Sequence, residues 1–260
     1  MRRPAASRRE GCGSLIRCIL HNRRWRSTPP WPSPREATRR TAHDDGGEWG
    51  ILRTMKHERL SSDGVARCLA SAPGFPHADP YPDGFFTTAP TAAAVLVPLF
   101  VDRDEWRLLY IRRAAHDRDR HGGEVAFPGG KLEPGDRDEA GAALRESREE
   151  IGLEARHVTV LGELERYRTI SNFLVRPVVA RIDWPVPLCP DHSEVSRVFS
   201  IPLAWLAGRD NFRIVRRPLE TFDGVTIPVY LYEPYENELL WGVTAKITQG
   251  LLQALGLQGR

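Results

Sequence analysis

The sequence predicts an α/β fold (mixed α+β) in which a mixed β-sheet lies between helices. Strand-like stretches come first along the chain, followed by a helical stretch, further strands and a second helix. With 260 residues, of which 41% are hydrophobic and 27% charged, the composition is that of a soluble globular protein with one large domain, alone or with an extension. No apolar run approaches the roughly 20 residues that cross a bilayer, so we expect no membrane contact.

Residues 1–54 form an arginine-rich head. Twelve arginines against five acidic residues give the head a net charge of +7, whereas the whole chain is +3, so the remainder carries about −4. Repeated prolines and the lack of periodicity predict disorder for this segment. Three interpretations stay open: a basic interaction arm, an organelle-targeting segment, and a stretch that precedes a native start at Met55. Because the basic charge belongs to the head, we expect no nucleic-acid partner for the rest of the chain.

The main domain is expected at residues 91–255, after a helical or irregular lead-in and proline-rich linker at residues 55–90. Apolar and β-branched runs in this domain predict its strands. The predicted segments are 92–101, 106–113, 123–127, 158–167, 173–182, a mixed strand and helical turn at 195–206, and a hairpin at 212–216 and 227–233.

Two helices complete the predicted domain. The first spans residues 136–151, with Asp136 or Asp138 as its N-cap and Gly152 as its terminator. The second spans residues 238–255, where apolar residues recur at core-facing helical spacing. These residues are Leu240, Val243, Ile247, Leu251 and Leu255.

The first helix carries Glu146, Glu149 and Glu150 on one face, shortly after a glycine-rich turn at Gly129 and Gly130. Three crowded carboxylates destabilise a bare helix, and hard divalent cations with oxygen ligands commonly offset that cost. The alternative is a solvated acidic face balanced by neighbouring arginines. The glycine turn favours the metal site, because glycine lets the backbone come close to an ion.

This stretch resembles the signature of the Nudix hydrolases. The matching positions are Gly130, Asp136, Arg145-Glu146, Glu149-Glu150 and Gly152-Leu153. There are two departures from the family pattern. Eight residues rather than seven separate Asp136 from Arg145, and Ser147 occupies the usual apolar position. The resemblance covers roughly residues 90–255 and implies a Nudix-type mixed sheet between helices.

The longer spacing is similar to that of the coenzyme A diphosphatase branch of the family. A second motif of that branch is matched in order by Arg113-Ala114, Arg118, Gly123 and Phe127-Pro128-Gly129-Gly130. The branch has Leu-Leu-Thr where this chain has Leu109-Tyr110-Ile111. One extra residue also separates Arg118 from Gly123, and therefore Arg120 is an alternative to Arg118.

The resemblance implies a site for Mg²⁺ or Mn²⁺ that hydrolyses a diphosphate linkage. The implied metal ligands are Glu146, Glu149, Glu150 and the backbone carbonyl of Gly130. Arg145 is expected to orient a metal-binding glutamate; the alternative is an exposed helix arginine.

Two further roles are those of the general base and of the residues that bind the phosphates of the substrate. Glu149 and Glu194 are the candidates for the general base, and Glu194 is equally well interpreted as a surface acid at a strand start. Arg113, with Arg118 or Arg120, is expected to hold phosphates through the fork of its guanidinium. The alternative is a solvated basic loop.

The function expected first is hydrolysis of coenzyme A or its thioesters to 3′-phosphoadenosine 5′-phosphate and 4′-phosphopantetheine. A Nudix hydrolase of another nucleoside diphosphate derivative, such as ADP-ribose or a dinucleoside polyphosphate, is the alternative. A non-catalytic, ligand-sensing Nudix domain is a third hypothesis, disfavoured by the intact glutamates and by the lack of a helix-turn-helix pattern. We expect a small-molecule nucleotide partner and leave open whether the chain forms a homodimer.

The cysteines indicate a reducing compartment. The four cysteines form no close pair of the kind that binds a metal, and a disulfide framework is untypical of a chain this long. We therefore expect reduced thiols and a cytoplasmic location. The residues are Cys12, Cys18, Cys68 and Cys189.

Overall fold

The computed structural model describes residues 61–72, 79–115, 123–219 and 222–258. The predicted disordered head at residues 1–54 lies outside these ranges, as do Arg118 and Arg120. Helix α1 (Ser62–Ser71) lies in the predicted lead-in and begins at an N-cap serine, Ser61. The domain boundaries expected from the sequence stay a prediction.

The main domain alternates strands and helices in the predicted order. Its elements are β1 (Thr91–Asp102), β2 (Glu105–Arg113), β3 (Val125–Ala126), β4 (Gly129–Lys131), α2 (Glu139–Ile151), β5 (Val158–Glu163), β6 (Tyr167–Arg168), β7 (Phe173–Ile182), β8 (Val195–Pro202), α3 (Leu203–Leu206), β9 (Phe212–Pro218), β10 (Thr226–Tyr232) and α4 (Gly242–Ala254). Short 3-10 helices lie at Ala155–His157 and Arg209–Asn211.

A mixed sheet forms the centre of the domain, which confirms the predicted fold class. Its main path runs β3-β2-β1-β7-β5, with β4 paired to β1, β6 to β7 and β8 to β2. Strand β1 is parallel to β7, and the other pairs are antiparallel. Strands β9 and β10 form a separate antiparallel hairpin.

Helices cover both faces of the sheet. Gly130 of β4 lies opposite Ala94 of β1 and directly against Glu146 of α2, so this face of β1 is covered by α2. Side chains alternate between faces along a strand. Tyr110 lies on the other face, where its hydroxyl is 3.0 Å from that of Thr248 in α4. Because both faces are covered, eight consecutive residues of β1 are buried, as is usual for a central strand.

The first predicted helix begins three residues later than expected. Asp138 is the N-cap and accepts a hydrogen bond from the Gly141 N–H. Asp136 is excluded from that role because its carboxylate is bonded to Arg145. The expected terminator is confirmed, since Gly152 ends the helix in a left-handed conformation (φ 69°).

The second predicted helix is wrong over its first four residues. It begins at Gly242, whose φ of 64° is left-handed and cannot continue a right-handed helix. Just before it, Glu238 pairs with Tyr235 and Trp241 pairs with Leu231 as isolated bridges. The predicted strand at residues 158–167 is also divided, into β5 and β6.

Within the described ranges, no helix combines the length and the apolar character needed to span a bilayer.

Replacing Gly129 by alanine is expected to destabilise the fold by about 3 kcal/mol or more. Its φ of 154° suits only glycine, and an added Cβ would lie 2.6 Å from the Cα of Val95 in the rigid strand β1. Urea unfolding followed by circular dichroism measures the difference. Gly135→Ala is the matched control, because its Cβ would have no heavy atom within 4 Å. Equal urea midpoints for Gly129→Ala and Gly135→Ala would refute the steric explanation.

Candidate active site

The site is built where α2 packs on strand β4. The carboxylate of Glu146 lies so close to Gly130 that a Cβ there would overlap it. The Gly129 N–H donates a hydrogen bond of 2.9 Å to Oε2 of Glu150. Two carboxylates one helical turn apart are thus pressed against the backbone of the glycine turn.

Arg145 joins the acidic residues to the loop that precedes α2. Its guanidinium forms two hydrogen bonds with Asp136, Nε at 2.8 Å and Nη2 at 3.0 Å. Its Nη1 lies 3.0 Å from Glu146 and 3.2 Å from Glu149, and its Nη2 donates to the Lys131 carbonyl at 3.0 Å. Only the rigid fork of arginine can make all these bonds together. The exposed-arginine alternative is therefore wrong.

Asp136 is the fixed end of this network. Its Oδ2 also accepts from the Glu133 N–H at 2.8 Å, which closes the loop after β4. Hydrogen bonds from Arg145 lower the pKa of Asp136 below its ordinary value. Asp136 is therefore a stable anion that anchors the guanidinium of Arg145, which also contacts Glu146 and Glu149.

Burial distinguishes Glu146 and Glu150 from Glu149, the third glutamate of the acidic cluster on α2. Glu150 is 2% exposed and Glu146 is also buried, whereas 52% of the Glu149 side chain is exposed. Burial raises the pKa of Glu150 to about 8. Burial also raises the pKa of Glu146, although Arg145 partly opposes the shift. Oε1 of Glu150 is buried without a hydrogen-bond partner.

Arg113, a predicted phosphate ligand, lies inside this acidic site. It ends β2 beside a bulge, is buried, and its positive charge opposes the rise in the pKa of Glu150. The solvated-loop alternative is therefore wrong for Arg113. It is not decided for Arg118 and Arg120, which lie outside the described residues.

Glu194, a predicted general base, is brought to the same place from a distant part of the chain. Its negative charge contributes to raising the pKa of both Glu146 and Glu150. It directly precedes β8, and its carbonyl accepts from the Ala114 N–H at 2.8 Å. Pairing of β8 with β2 therefore places Glu194 beside Arg113.

The predicted metal ligands are not gathered into a finished site. In the part of the chain that the structure describes, no three His, Cys, Asp or Glu side chains are grouped closely enough to hold a metal ion. In this arrangement Arg145 binds Glu146 and Glu149, while the Gly129 N–H binds Glu150. The donor set still fits a hard cation, since all the side-chain donors are carboxylate oxygens and one buried oxygen of Glu150 is unpartnered.

Asp191 was missed in the sequence analysis. Its backbone N–H donates to the Glu150 carbonyl at 2.9 Å, which ties the loop before β8 to the end of α2. Its side chain bonds Ser193 within the turn. The Asp-x-Ser pattern is a turn signal, but nothing local in the sequence connects that turn with α2.

Comparison with known proteins supports the family assignment. A model of the NUDIX domain matches residues 90–222. Proteins named "Uncharacterized Nudix hydrolase NudL" from Yersinia pestis and Yersinia pseudotuberculosis are 38% identical over 175 residues, covering 66% of this chain and 84% of each relative.

Two solved structures resemble the chain at low TM-scores. A MutT/nudix family protein from Enterococcus faecalis has a TM-score of 0.41 at 17% identity, over 66% of this chain and 69% of that one. The NUDIX domain of Shewanella oneidensis NrtR, complexed with ADP ribose, has a TM-score of 0.36 at 18% identity, over 48% and 79%.

Arg145→Lys is expected to lower kcat by about 10- to 100-fold, the usual cost of losing a residue that orients metal ligands. Lysine keeps the charge but cannot hold Asp136 and Glu146 at once. Steady-state kinetics with Mg²⁺ measure the loss. Arg148→Lys, on the exposed side of the same helix, is the control. An unaltered kcat for Arg145→Lys would contradict the orienting role.

In metal-free protein, Glu150→Gln is expected to raise stability at about pH 9 and to change it little near pH 4.5. The pKa of Glu150 is raised from 4.5 to about 8. The stability contributed by its protonated form is therefore complete below the lower value and is lost as pH rises through the higher one. At about 1.4 kcal/mol per pKa unit, the advantage of the variant reaches a few kcal/mol.

Urea unfolding in EDTA at several pH values measures this advantage. Glu154→Gln, an exposed glutamate just beyond α2, is the control. If the stability of Glu150→Gln and of the wild type varied with pH in parallel, the raised pKa would be wrong.

Proposed function

The chain belongs to the Nudix hydrolase family, and from this premise we propose that it hydrolyses a nucleoside diphosphate linkage with Mg²⁺ or Mn²⁺. Enzymes of this family act on phosphorus anhydride bonds. The observation that carries the proposal is the pair of buried carboxylates, Glu146 and Glu150, held against the Gly129-Gly130 backbone. Removing two acidic groups from water without a cation is costly, and a divalent ion offsets that cost.

We assign the metal to Glu146 and Glu150, with Glu149 and the Gly130 carbonyl as further oxygen donors. When bound, the ion would neutralise phosphate charge and acidify a water molecule. Glu149 is exposed and lies within reach of Arg145, so it stands at the open side of the site.

The other residues bind substrate and move a proton. Arg113 offers a buried guanidinium for a phosphate oxygen, a geometry that arginine suits. Arg118 or Arg120 would add a second phosphate contact. Glu194 is the proposed general base, because pairing of β8 with β2 places it beside Arg113 and its charge influences the pKa of both buried glutamates; Glu149 is the alternative.

Coenzyme A or its thioesters are the substrates that we propose first. The support is the second motif, which runs from Arg113-Ala114 to Phe127-Pro128-Gly129-Gly130. Two of the departures are core residues: Tyr110 and Ile111 are both fully buried, and Tyr110 stacks on Phe127. These two substitutions therefore change the packing of the core, whereas the extra residue between Arg118 and Gly123 keeps a substrate other than coenzyme A as the alternative.

The proposed products are 3′-phosphoadenosine 5′-phosphate and 4′-phosphopantetheine. A small-molecule nucleotide is the proposed partner, and the cytoplasm the proposed location. A homodimer stays an open expectation.

A substrate panel tests the proposal. With Mg²⁺ we expect cleavage of coenzyme A, seen by chromatography of the two products, and no cleavage with chelator. Glu150→Gln is expected to lower kcat by roughly 10²-fold or more, since a catalytic metal supplies several kcal/mol. Glu154→Gln should keep wild-type turnover.

The possible failures of the panel are distinguishable. Turnover of ADP-ribose or a dinucleoside polyphosphate, without turnover of coenzyme A, would reject the coenzyme A assignment and keep the diphosphatase. Ligand binding without turnover of any compound would revive the non-catalytic alternative.

A further inference from the structure

The loop between β7 and β8 is fixed to the end of the helix that carries the glutamates. The Asp191 N–H donates to the Glu150 carbonyl and the Cys189 N–H to the Ile151 carbonyl, each at 2.9 Å. The last carbonyls of a helix have no partner within the helix. These two bonds therefore couple the position of the loop to α2.

Asp191 also closes a tight turn that ends at Glu194. Its Oδ1 accepts from the Ser193 N–H at 2.8 Å and from the Ser193 hydroxyl at 2.7 Å. Its carbonyl accepts from the N–H groups of Glu194 at 2.9 Å and of Val195 at 2.7 Å. These four hydrogen bonds, two to the side chain and two to the carbonyl of Asp191, define the path of the chain into β8.

Glu194 is held from both ends as a result. Before it lies the Asp191 turn, which is bonded to α2, and beside it lies Ala114, the residue directly after β2, whose N–H donates to the Glu194 carbonyl. The hydrogen bonds from Ser193 lower the pKa of Asp191. The turn is therefore closed by an anion, whose hydrogen bonds are stronger than those of a neutral acceptor.

We propose that Asp191 is a positioning residue, which holds Glu194 between the end of β2 and the end of α2 that carries Glu150. Asp191 acts through Glu194 and touches no reacting atom. The inference rests on the proposed function, in which Glu194 is the general base. A purely structural role differs in its consequences: loss of the turn would lower stability, and kcat per folded molecule would not change.

Kinetics on coenzyme A with Mg²⁺ test the coupling, with ADP-ribose as the probe should coenzyme A not turn over. Asp191→Ala is expected to lower kcat about tenfold and to change KM by less than about twofold, since a small displacement of a reacting group has effects of this order. Asp191→Asn keeps an acceptor oxygen and should stay within about twofold of wild type. Asp210→Ala, at an exposed aspartate in a distant turn, should match wild type.

A double-mutant cycle distinguishes positioning from other effects. In a Glu194→Gln background, Asp191→Ala should cause no further loss of kcat, because residues that act as a unit are not additive. The same tenfold loss in both backgrounds would overturn the inference, as would wild-type kcat for Asp191→Ala.

A crystal structure gives a readout that does not depend on activity. In Asp191→Ala the Glu194 carboxylate should be displaced from Glu150, and in Asp191→Asn it should not. An unmoved Glu194 in the alanine variant would refute the positioning role. Full kcat in Glu194→Gln alone would instead refute the proposed base, and the displacement would still decide the role of Asp191.

Discussion

The contact between helix α2 and the glycine pair of strand β4 is the constraint on which the rest of the site depends. Glu146 occupies the space that a side chain at position 130 would fill, and Glu150 accepts the N–H of Gly129. Arg145 offsets the charge of Glu146 but does not reach Glu150, whose second carboxylate oxygen is buried without a partner. The fold thus holds a concentration of negative charge that is unfavourable alone and suits a divalent cation.

The sheet brings the remaining groups to this contact. Strand β1 pairs with β4 at one end and with β2 at the other, while β8 adds to β2. The end of β2 therefore delivers Arg113, and the start of β8 delivers Glu194. Strand pairing thus brings one cation and one further carboxylate to the region of the glutamate pair.

Short-range sequence signals predicted the two ends of α2, because short-range interactions determine where a helix begins and ends. The Asp138 cap and the Gly152 terminator of α2 follow from rules that act within a few residues. The same rules left Asp136 and Asp138 as equal candidates, because only the bond to Arg145 excludes Asp136. The start of α4 was predicted wrongly for the same kind of reason, since pairing of Trp241 with Leu231 outweighs apolar spacing.

The sequence by itself determined the fold class, the family and the acidic helix. The fold class follows from the order of strand-like and helical stretches, and the other two follow from residue spacing within short segments. The tertiary structure decided which glutamates are buried, that Arg113 lies among them, and that the turn before β8 is bonded to α2. These facts depend on strand pairing between distant segments, which one-dimensional periodicity does not encode. They also depend on the loss of water around each charge, and that loss exists only once both faces of the sheet are covered.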